Sequence, residues 1–212
     1  MVSIRWFGHS CFRIGDGKSM VIDPHDGHSL GLKPPDERGD IILITHDHFD
    51  HNCYRVVQKS DSTIISEVGE RIIDSIKIEG FPAYHDAVEG KRRGGMVVYC
   101  LELDGIKMCH LGDIGHQIDG DLEKKLSSTD ILFLPVGGHF TVDADGAWGI
   151  VEKLKPKVVI PMHYKIGGLS LRLDPLENFT VGREADVTMV GNEIHIERSD
   201  LPEEFEIWVF SL

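Results

Sequence analysis

The sequence has few cysteines and no long apolar run, and each shortage excludes a class of protein. Its four cysteines, Cys11, Cys53, Cys100 and Cys109, show neither a CxxC spacing nor the density of a disulfide framework. Three of them lie in apolar, strand-like segments, so we predict buried free thiols and a reducing cytosol. No apolar run approaches the roughly 20 residues needed to cross a bilayer, and residues 1–14 contain no signal-type segment. We therefore expect a cytoplasmic protein with no membrane partner.

Basic residues are also scarce: 22 Lys and Arg stand against 35 Asp and Glu, for a formal net charge of -13. A sequence-independent grip on nucleic acid or on an anionic membrane needs basic surface, so this composition argues against both partners. A small anionic substrate stays compatible with it, because local charge at a metal site can oppose the total. A chain of 212 residues with 41% hydrophobic content suits a single domain over residues 1–212. Its oligomeric state stays open, a homo-oligomer included.

Histidine, by contrast, is abundant, and three of the 12 histidines fall in the stretch Thr45-His46-Asp47-His48-Phe49-Asp50-His51. This stretch follows residues 41–44, a short, β-branched run that predicts a buried strand. Ligand-type side chains thus stand where a strand leaves the core. His46 and His48 project to the same side of an extended backbone, and Asp50 and His51 can face a second point. The spacing can serve two metal ions; the alternative is a polar turn before a helix capped by Asp50.

Local patterns predict many short strands and few helices. Strands are expected over residues 3–7, 11–14, 19–23, 41–44, 63–67, 72–80, 81–85, 96–103, 106–111, 131–135 and 157–161, with three more between residues 179 and 210. Helices are expected over residues 50–59, 121–126 and 143–154, and a long polar loop near the site over residues 25–39. Turns at Gly15-Asp16-Gly17 and Asp104-Gly105 predict two hairpins. This order fits two sheets packed face to face, with helices outside.

The segment His46-x-His48-x-Asp50-His51 resembles the signature of the metallo-β-lactamase superfamily of metal-dependent hydrolases. Other segments resemble the small prokaryotic branch that includes the ascorbate-phosphate lactonases: Trp6-Phe7-Gly8-His9-Ser10, Ile22-Asp23-Pro24, His110-Leu111-Gly112-Asp113, Leu134-Pro135-Val136-Gly137-Gly138 and Pro161-Met162-His163-Tyr164. The resemblance implies an α/β fold, the four-layer αββα sandwich with two mixed sheets face to face and outer helices. The signature is specific for fold and metal, and hardly specific for substrate.

The resemblance also implies a set of ligands for two divalent ions. It assigns seven donors: His46, His48 and His85 to one metal, Asp50, His51 and His163 to the other, and Asp113 as the bridge. His110 is a rival of His85, which we prefer because the family places this ligand well upstream of the bridging aspartate. Histidine and aspartate donors suit zinc, our first expectation, and also accept manganese, iron or nickel.

Other polar residues are candidates for supporting roles. Asp23 is a natural partner for the second nitrogen of a metal-bound imidazole. His9 and His110 either act in the same way or are satisfied core histidines. Lys165 is the predicted contact for a substrate anion, whereas residues 91–93, Lys-Arg-Arg, predict a solvated turn.

The chemistry expected of such a site is hydrolysis, with a hydroxide formed between the two ions attacking a small, anionic ester, lactone or phosphodiester. Asp50 and Asp113 are predicted to take part, and His116 or His139, on glycine-rich loops, to protonate the leaving group; the alternative for each histidine is an ordinary surface loop. A di-iron oxidoreductase is the rival enzyme, but related proteins of that kind have glutamate in place of His48 and carry a flavin domain. A non-catalytic binding protein is a third alternative, disfavoured because all seven expected donors are present.

Overall fold

The computed structural model describes residues 1–74 and 76–212. Within them the strands, numbered in chain order, are β1 (Val2–Trp6), β2 (Phe12–Asp16), β3 (Lys18–Ile22), β4 (Gly39–Leu43), β5 (Gln58–Ile65), β6 (Gly69–Ile73), β7 (Ile76–Tyr84), β8 (Gly95–Leu103), β9 (Ile106–His110), β10 (Ile131–Pro135), β11 (Val158–Met162), β12 (Val187–Gly191), β13 (Glu193–Ile196) and β14 (Glu206–Phe210). The α-helices are α1 (Gly120–Leu126), α2 (Ala144–Leu154) and α3 (Glu177–Thr180). Short 3-10 helices span His28–Leu30, Tyr54–Val56, Glu184–Asp186 and Arg198–Asp200.

The described strands form two mixed sheets. The first has six strands in the order β13-β1-β2-β3-β4-β5, and the second has eight in the order β12-β14-β11-β10-β9-β8-β7-β6. Within the second sheet, β9, β10 and β11 are parallel, and α1 and α2 make the crossovers between them. Apolar side chains from both sheets and from these helices form one continuous core. The predicted pair of mixed sheets is therefore confirmed.

The strand before the histidine stretch is buried on both faces, as its unbroken apolar run predicts. Ile41 and Leu43 point into the main core between the sheets, whereas Ile42 and Ile44 join a smaller cluster with Val57 on the outer face. The half-buried Tyr54 and Val56 pack on that smaller cluster. The outer layer of the first sheet thus includes the 3-10 turn Tyr54–Val56, where the resemblance implied an outer helix.

Two local predictions are wrong. The helix expected over residues 50–59 is reduced to the 3-10 turn Tyr54–Val56, because Val56 and Val57 are poor helix formers and Gln58 already pairs with Gly39 in the first sheet. The strand expected over residues 72–80 is instead the end of β6 and most of β7, which pair antiparallel with Ile73 opposite Ile76. Ser75, inside that predicted strand, lies outside the described residues.

The prediction of free thiols is wrong for two of the four cysteines. Cys100 and Cys109 form a disulfide between β8 and β9, and Cys11 and Cys53 are free. The register of the hairpin places Cys100 directly opposite Cys109, with their Cα atoms 4.2 Å apart. A pairing of this kind depends on strand register, which the spacing of cysteines along the chain does not reveal. In the part of the chain that the structure describes, no helix has both the length and the apolar character to span a membrane.

Candidate metal centre

Strand ends from both sheets deliver the predicted donors to one place. β7 and β9 both run antiparallel to β8, so they share one direction, and β11 is parallel to β9 through β10. Their carboxyl ends therefore lie at the same edge of the second sheet. Each of these strands is followed within three residues by a donor: β7 by His85, β9 by Asp113 and β11 by His163. The first sheet supplies the histidine stretch after β4.

Asp113 stands at the centre of this convergence. Its Oδ2 lies 3.1 Å from Nε2 of His163, 3.2 Å from that of His85, 3.3 Å from that of His51 and 3.9 Å from that of His46. Two of these imidazoles come from the first sheet and two from the second. One carboxylate oxygen thus touches donors of both halves, which is the position that a bridging ligand must occupy.

The donors fall into groups whose ligand atoms lie within 4.8 Å of one another: His46, His48 and His85; His46, His51 and Asp113; and His9, Asp50, His51 and His163. The first group is the set that the resemblance implies for one metal. The third contains the set for the other metal and adds His9. Nε2 of His9 is 3.1 Å from Oδ2 of Asp50, so His9 donates to that carboxylate. The sequence left the role of His9 open. The signal that could have indicated this role is its place in the segment Trp6-Phe7-Gly8-His9-Ser10, which resembles the family.

Unpaired buried atoms show that these residues fit a cation. Nε2 of His46, Nε2 of His51 and Oδ1 of Asp113 are buried and have no hydrogen-bond partner among the described residues. Leaving a buried polar atom unpaired is costly, and such atoms in a native protein need an explanation. Imidazole nitrogens and carboxylate oxygens facing one another are the borderline donors that zinc and related divalent ions prefer.

The electrostatics favour the ligand forms of most donors. Burial, aided by the neighbouring His51, lowers the pKa of His46 to about 3, and burial likewise lowers the pKa of His48, so both are neutral. Burial opposes ionisation of Asp50, yet the neighbouring His51 and the hydrogen bond from His9 hold its pKa below the ordinary value. Burial also opposes protonation of His51, but the charges of Asp113 and Asp23 raise its pKa well above the ordinary value. The carboxylates therefore favour a positive charge at this position. A metal ion would supply that charge, and its binding would release a proton.

Outer partners fix the tautomers of the first-sheet imidazoles. Asp23, at the end of β3, accepts from Nδ1 of His51 at 3.0 Å, as the sequence predicted for an imidazole partner. The Thr45 hydroxyl donates to Oδ2 of Asp23 at 2.8 Å and lies 2.8 Å from Nδ1 of His46. Since the hydroxyl proton goes to the carboxylate, Nδ1 of His46 donates to Oγ1 of Thr45. Both imidazoles therefore turn Nε2 toward the cluster, which is the arrangement that orients metal-binding histidines.

Hydrogen bonding distinguishes His85 from its rival His110. Nε2 of His110 donates to the carbonyl of Ser10 at 3.0 Å, and its Nδ1 accepts from the backbone N–H of Gly112 at 3.2 Å. Both ring nitrogens of His110 thus form hydrogen bonds with the main chain. His110 is a buried structural residue. His85 instead presents Nε2 to Asp113.

The two predicted acid residues have different surroundings. His139 is exposed, lies 3.3 Å from Oδ1 of Asp174 through Nε2, and lines the same cleft as His85. The structure does not bring His116 to the cluster in this way: its Nε2 accepts from the backbone N–H of Tyr84 and its Nδ1 donates to the carbonyl of Gln117. This geometry argues against the acid role for His116, because neither ring nitrogen is available to a substrate.

Lys165, the residue expected to contact an anion, is engaged elsewhere. Its Nζ donates to the main-chain carbonyls of Leu169 and Leu171, where it ties down the loop after β11. The sequence could not show this, because the acceptors are carbonyl groups of a loop with no regular pattern. Lys165 is therefore a structural residue in this fold.

Several residues at the centre have an unusual backbone conformation. Nine described residues other than glycine have positive φ, and four of them surround the site: His9 at 55°, Asp23 at 48°, His139 at 56° and His163 at 53°. Side chains other than glycine rarely adopt this conformation, and such residues cluster where function requires a fixed direction. The sharp turns here aim side chains away from the strand axis and into the space between the sheets.

Two mixed sheets that carry histidine and aspartate donors on converging strand ends define a class of metal-dependent hydrolases. Residues 3–163 match the family described as the beta-lactamase superfamily domain. A UPF0173 metal-dependent hydrolase of Thermococcus onnurineus is 33% identical over 217 residues, covering 90% of this chain and 96% of that protein. Its counterpart in Thermoplasma acidophilum is 32% identical, covering 82% and 88%.

A solved structure supports the same assignment. A protein of Thermotoga maritima, assigned to the Zn-dependent hydrolases of the metallo-β-lactamase superfamily, matches with a TM-score of 0.82 and 30% identity, covering 99% of this chain and 98% of that one. The chain belongs to the metallo-β-lactamase superfamily and is a metal-dependent hydrolase. The fold implied by the histidine signature is thereby confirmed.

Proposed function

We propose that this chain holds two divalent ions and hydrolyses a small anionic ester, lactone or phosphodiester. The ligands would be His46, His48 and His85 for one ion, Asp50, His51 and His163 for the other, and Asp113 for both. The observation that carries the proposal is the position of Asp113, whose Oδ2 lies within 3.9 Å of four imidazole nitrogens from two sheets. Zinc is the metal proposed first, with manganese, iron and nickel as alternatives that the same donors accept.

The residues of the chain would then divide the work. When bound, the ions lower the pKa of a water toward neutrality and polarise the oxygen of the bond to be broken. Asp50, held by His9 and His51, keeps a negative charge at the centre that balances the ions. Asp23 and Thr45 hold the imidazoles in the required tautomer. His139, beside Asp174, is the residue that we propose to give its proton to the departing oxygen.

Elemental analysis of the purified protein tests the metal part of this proposal. We expect two ions per chain after loading with zinc or manganese, and hydrolysis of lactones, esters or phosphodiesters that disappears on treatment with a chelator and returns with metal. A single ion per chain at saturation would contradict the two-ion site. Redox activity with iron and no hydrolysis with any metal would favour the oxidoreductase alternative.

Substitution of His139 tests its role as an acid. In His139→Gln we expect a fall of about 100-fold in kcat for substrates with an alkoxide leaving group and little change for a p-nitrophenolate leaving group, which needs no proton. His116→Gln is the matched control, because both of its ring nitrogens already contact the main chain. Equal losses for both leaving groups would contradict the role.

We also propose that the partner is a small molecule, with neither nucleic acid nor membrane involved, and that the protein is cytoplasmic. The net charge of -13 supports the first part, because phosphate backbones and anionic lipids are bound through basic surface. The disulfide between Cys100 and Cys109 is compatible with this location, because intracellular proteins of some thermophiles also contain disulfides.

A further inference from the structure

A cleft of about 490 Å³ lies beside the metal centre, and two arginines in its lining have no part in the functions assigned so far. It opens between the turn after His85 and the loop that carries His139, and Arg92, Arg93 and Phe140 are among its lining residues. The sequence predicted residues 91–93 to be a solvated turn. These residues do form an exposed turn, and Arg92 and Arg93 also line a cleft that contains a predicted metal ligand.

Asp86 builds the turn that carries the two arginines. Its Oδ1 accepts from the backbone N–H groups of Val88 and Gly90 at 2.8 and 2.9 Å, and its Oδ2 accepts from those of Arg92 and Arg93 at 2.9 and 2.8 Å. Four backbone donors on one buried carboxylate fix the path of the chain directly after His85. The negative charge of Asp86 is thereby compensated by the main chain, and the arginine side chains are left free to contact other groups.

The two guanidinium groups have no carboxylate partner. Among the described residues, no acidic side chain forms an ion pair with Arg92 or Arg93, whereas Nζ of Lys91 lies 3.8 Å from Oε2 of Glu89. Cζ of Arg93 lies 4.8 Å from the centroid of the Phe140 ring, so this guanidinium is held over an aromatic face from the opposite loop. Held in this way, a planar guanidinium keeps its donors for a ligand.

A second cleft, of about 790 Å³, begins at His46 and has the opposite character. Its lining is mainly apolar, with Ile64, Pro82 and Met96, and its charged side chains are the carboxylates Asp47 and Glu67. An anionic group would be repelled there and attracted to the arginines. The two clefts therefore distinguish the two ends of a bound molecule.

We propose that Arg92 and Arg93 form a subsite for an oxyanion of the substrate, a phosphate or a carboxylate separate from the bond that is broken. The inference rests on the proposed hydrolytic function and makes it more specific: the charged end of the substrate lies beside His85 and His139, and the uncharged end lies toward His46. Paired guanidinium groups suit this task, because their donors match the geometry of phosphate and carboxylate oxygens.

Calorimetric titration of the metal-loaded protein with inorganic phosphate, and separately with acetate, tests the subsite. In Arg92→Gln/Arg93→Gln we expect phosphate affinity to fall at least about tenfold, because charge-assisted hydrogen bonds are lost. Lys91→Gln is the matched control, since it removes the same charge per residue from the same turn but leaves the cleft intact, and its affinity should stay within about twofold. Stronger binding of phosphate than of acetate identifies the substrate group as a phosphate, and the reverse identifies a carboxylate.

Further variants distinguish loss of the subsite from loss of folding and from failure of the proposed hydrolytic function. Arg92→Lys/Arg93→Lys keeps the charge without the planar fork and should bind with intermediate affinity. The double glutamine variant should also lower kcat/KM for a phosphorylated or carboxylated ester, but not for its uncharged analogue. Equal phosphate affinity in wild type and double variant would overturn the subsite, even if hydrolysis is found. Arginine-dependent binding with no hydrolysis of any substrate would instead leave the subsite standing and remove the hydrolase mechanism.

Discussion

The two sheets hold their imidazoles at the metal centre by different means. In the first sheet, Nδ1 of His46 lies 2.8 Å from Oγ1 of Thr45, and Nδ1 of His51 lies 3.0 Å from Oδ2 of Asp23. In the second sheet, Nδ1 of His85 and of His163 is buried and has no hydrogen-bond partner among the described residues. The outer hydrogen bonds that usually orient metal-binding histidines are therefore present in one half and missing in the other.

Close backbone packing replaces those hydrogen bonds in the second sheet. A Cβ atom on Gly115 would lie 2.5 Å from the carbonyl carbon of His85, and one on Gly137 would lie 2.0 Å from the carbonyl oxygen of His163. Neighbouring main chain thus presses against both ligand residues where only glycine fits. One half of the site is therefore oriented by polar side chains, and the other by steric contact.

Removing the carboxylate that both halves share should have the largest effect. In Asp113→Asn the four imidazole contacts of Oδ2 lose their charged partner. We expect the loss of metal affinity to exceed the roughly 100-fold that follows removal of an outer partner. Metal content after dialysis measures this, with Asp121→Asn on the exposed side of α1 as control. Retention of two ions would mean that the halves bind metal independently.

A substitution that crowds the backbone of the second half should have the next largest effect. In Gly137→Ala the new methyl group would collide with the carbonyl of His163, so we expect a loss of about 3 kcal/mol in the free energy of unfolding and weaker metal binding. Gly167→Ala is the matched control, because a Cβ there meets nothing within 4 Å. Denaturant unfolding and metal titration of both variants measure the difference. Similar behaviour of the two would show that steric contact does not position His163.

Weakening the first half should have a smaller effect, through the loss of charge and of hydrogen bonds. Asp23→Asn keeps the shape of a fully buried side chain but removes the charge that holds His51, and we expect metal affinity to fall about 10- to 100-fold. Thr45→Val removes the hydroxyl between Asp23 and His46 and should cost less. Competition with a chromophoric chelator gives both affinities. Unchanged affinity in both variants would mean that packing alone orients this half as well.

The two halves of the centre also differ in how well the sequence predicts them. Residues 131–135 form a strand as predicted, because an unbroken apolar run has few other solutions, and the dense histidine stretch indicated the first half of the centre. The donors of the second half each stand alone in the chain, and only the resemblance connected His85 and His163 with it. Steric positioning by glycines cannot be read from a sequence, because it depends on which distant backbone lies against them.

Polar side chains with main-chain partners were the hardest to predict. His110, His116 and Lys165 all satisfy backbone groups, whereas their residue types suggested ligand, acid and anion contact. The Asp86 turn is a different case: Arg92 and Arg93 lie in the exposed turn that was predicted, but the charge pattern alone did not indicate the cleft that they line. In each instance the hydrogen-bond partners are main-chain groups. Every residue has such groups, so the residue types alone do not show which of them will be the partners.

The disulfide offers the mildest perturbation of the second half. Cys100 and Cys109 join β8 to β9, and Cys109 lies only four residues before Asp113. Replacing both by alanine should lower the free energy of unfolding by about 2–3 kcal/mol, as expected for so short a loop. Because Gly115 and Gly137 would still hold the ligand backbones, metal affinity should stay within about threefold of wild type. Cys53→Ala, at a half-buried free thiol, is the control. A large loss of metal affinity in the double variant alone would mean that the covalent link, rather than glycine packing, holds the second half of the centre in place.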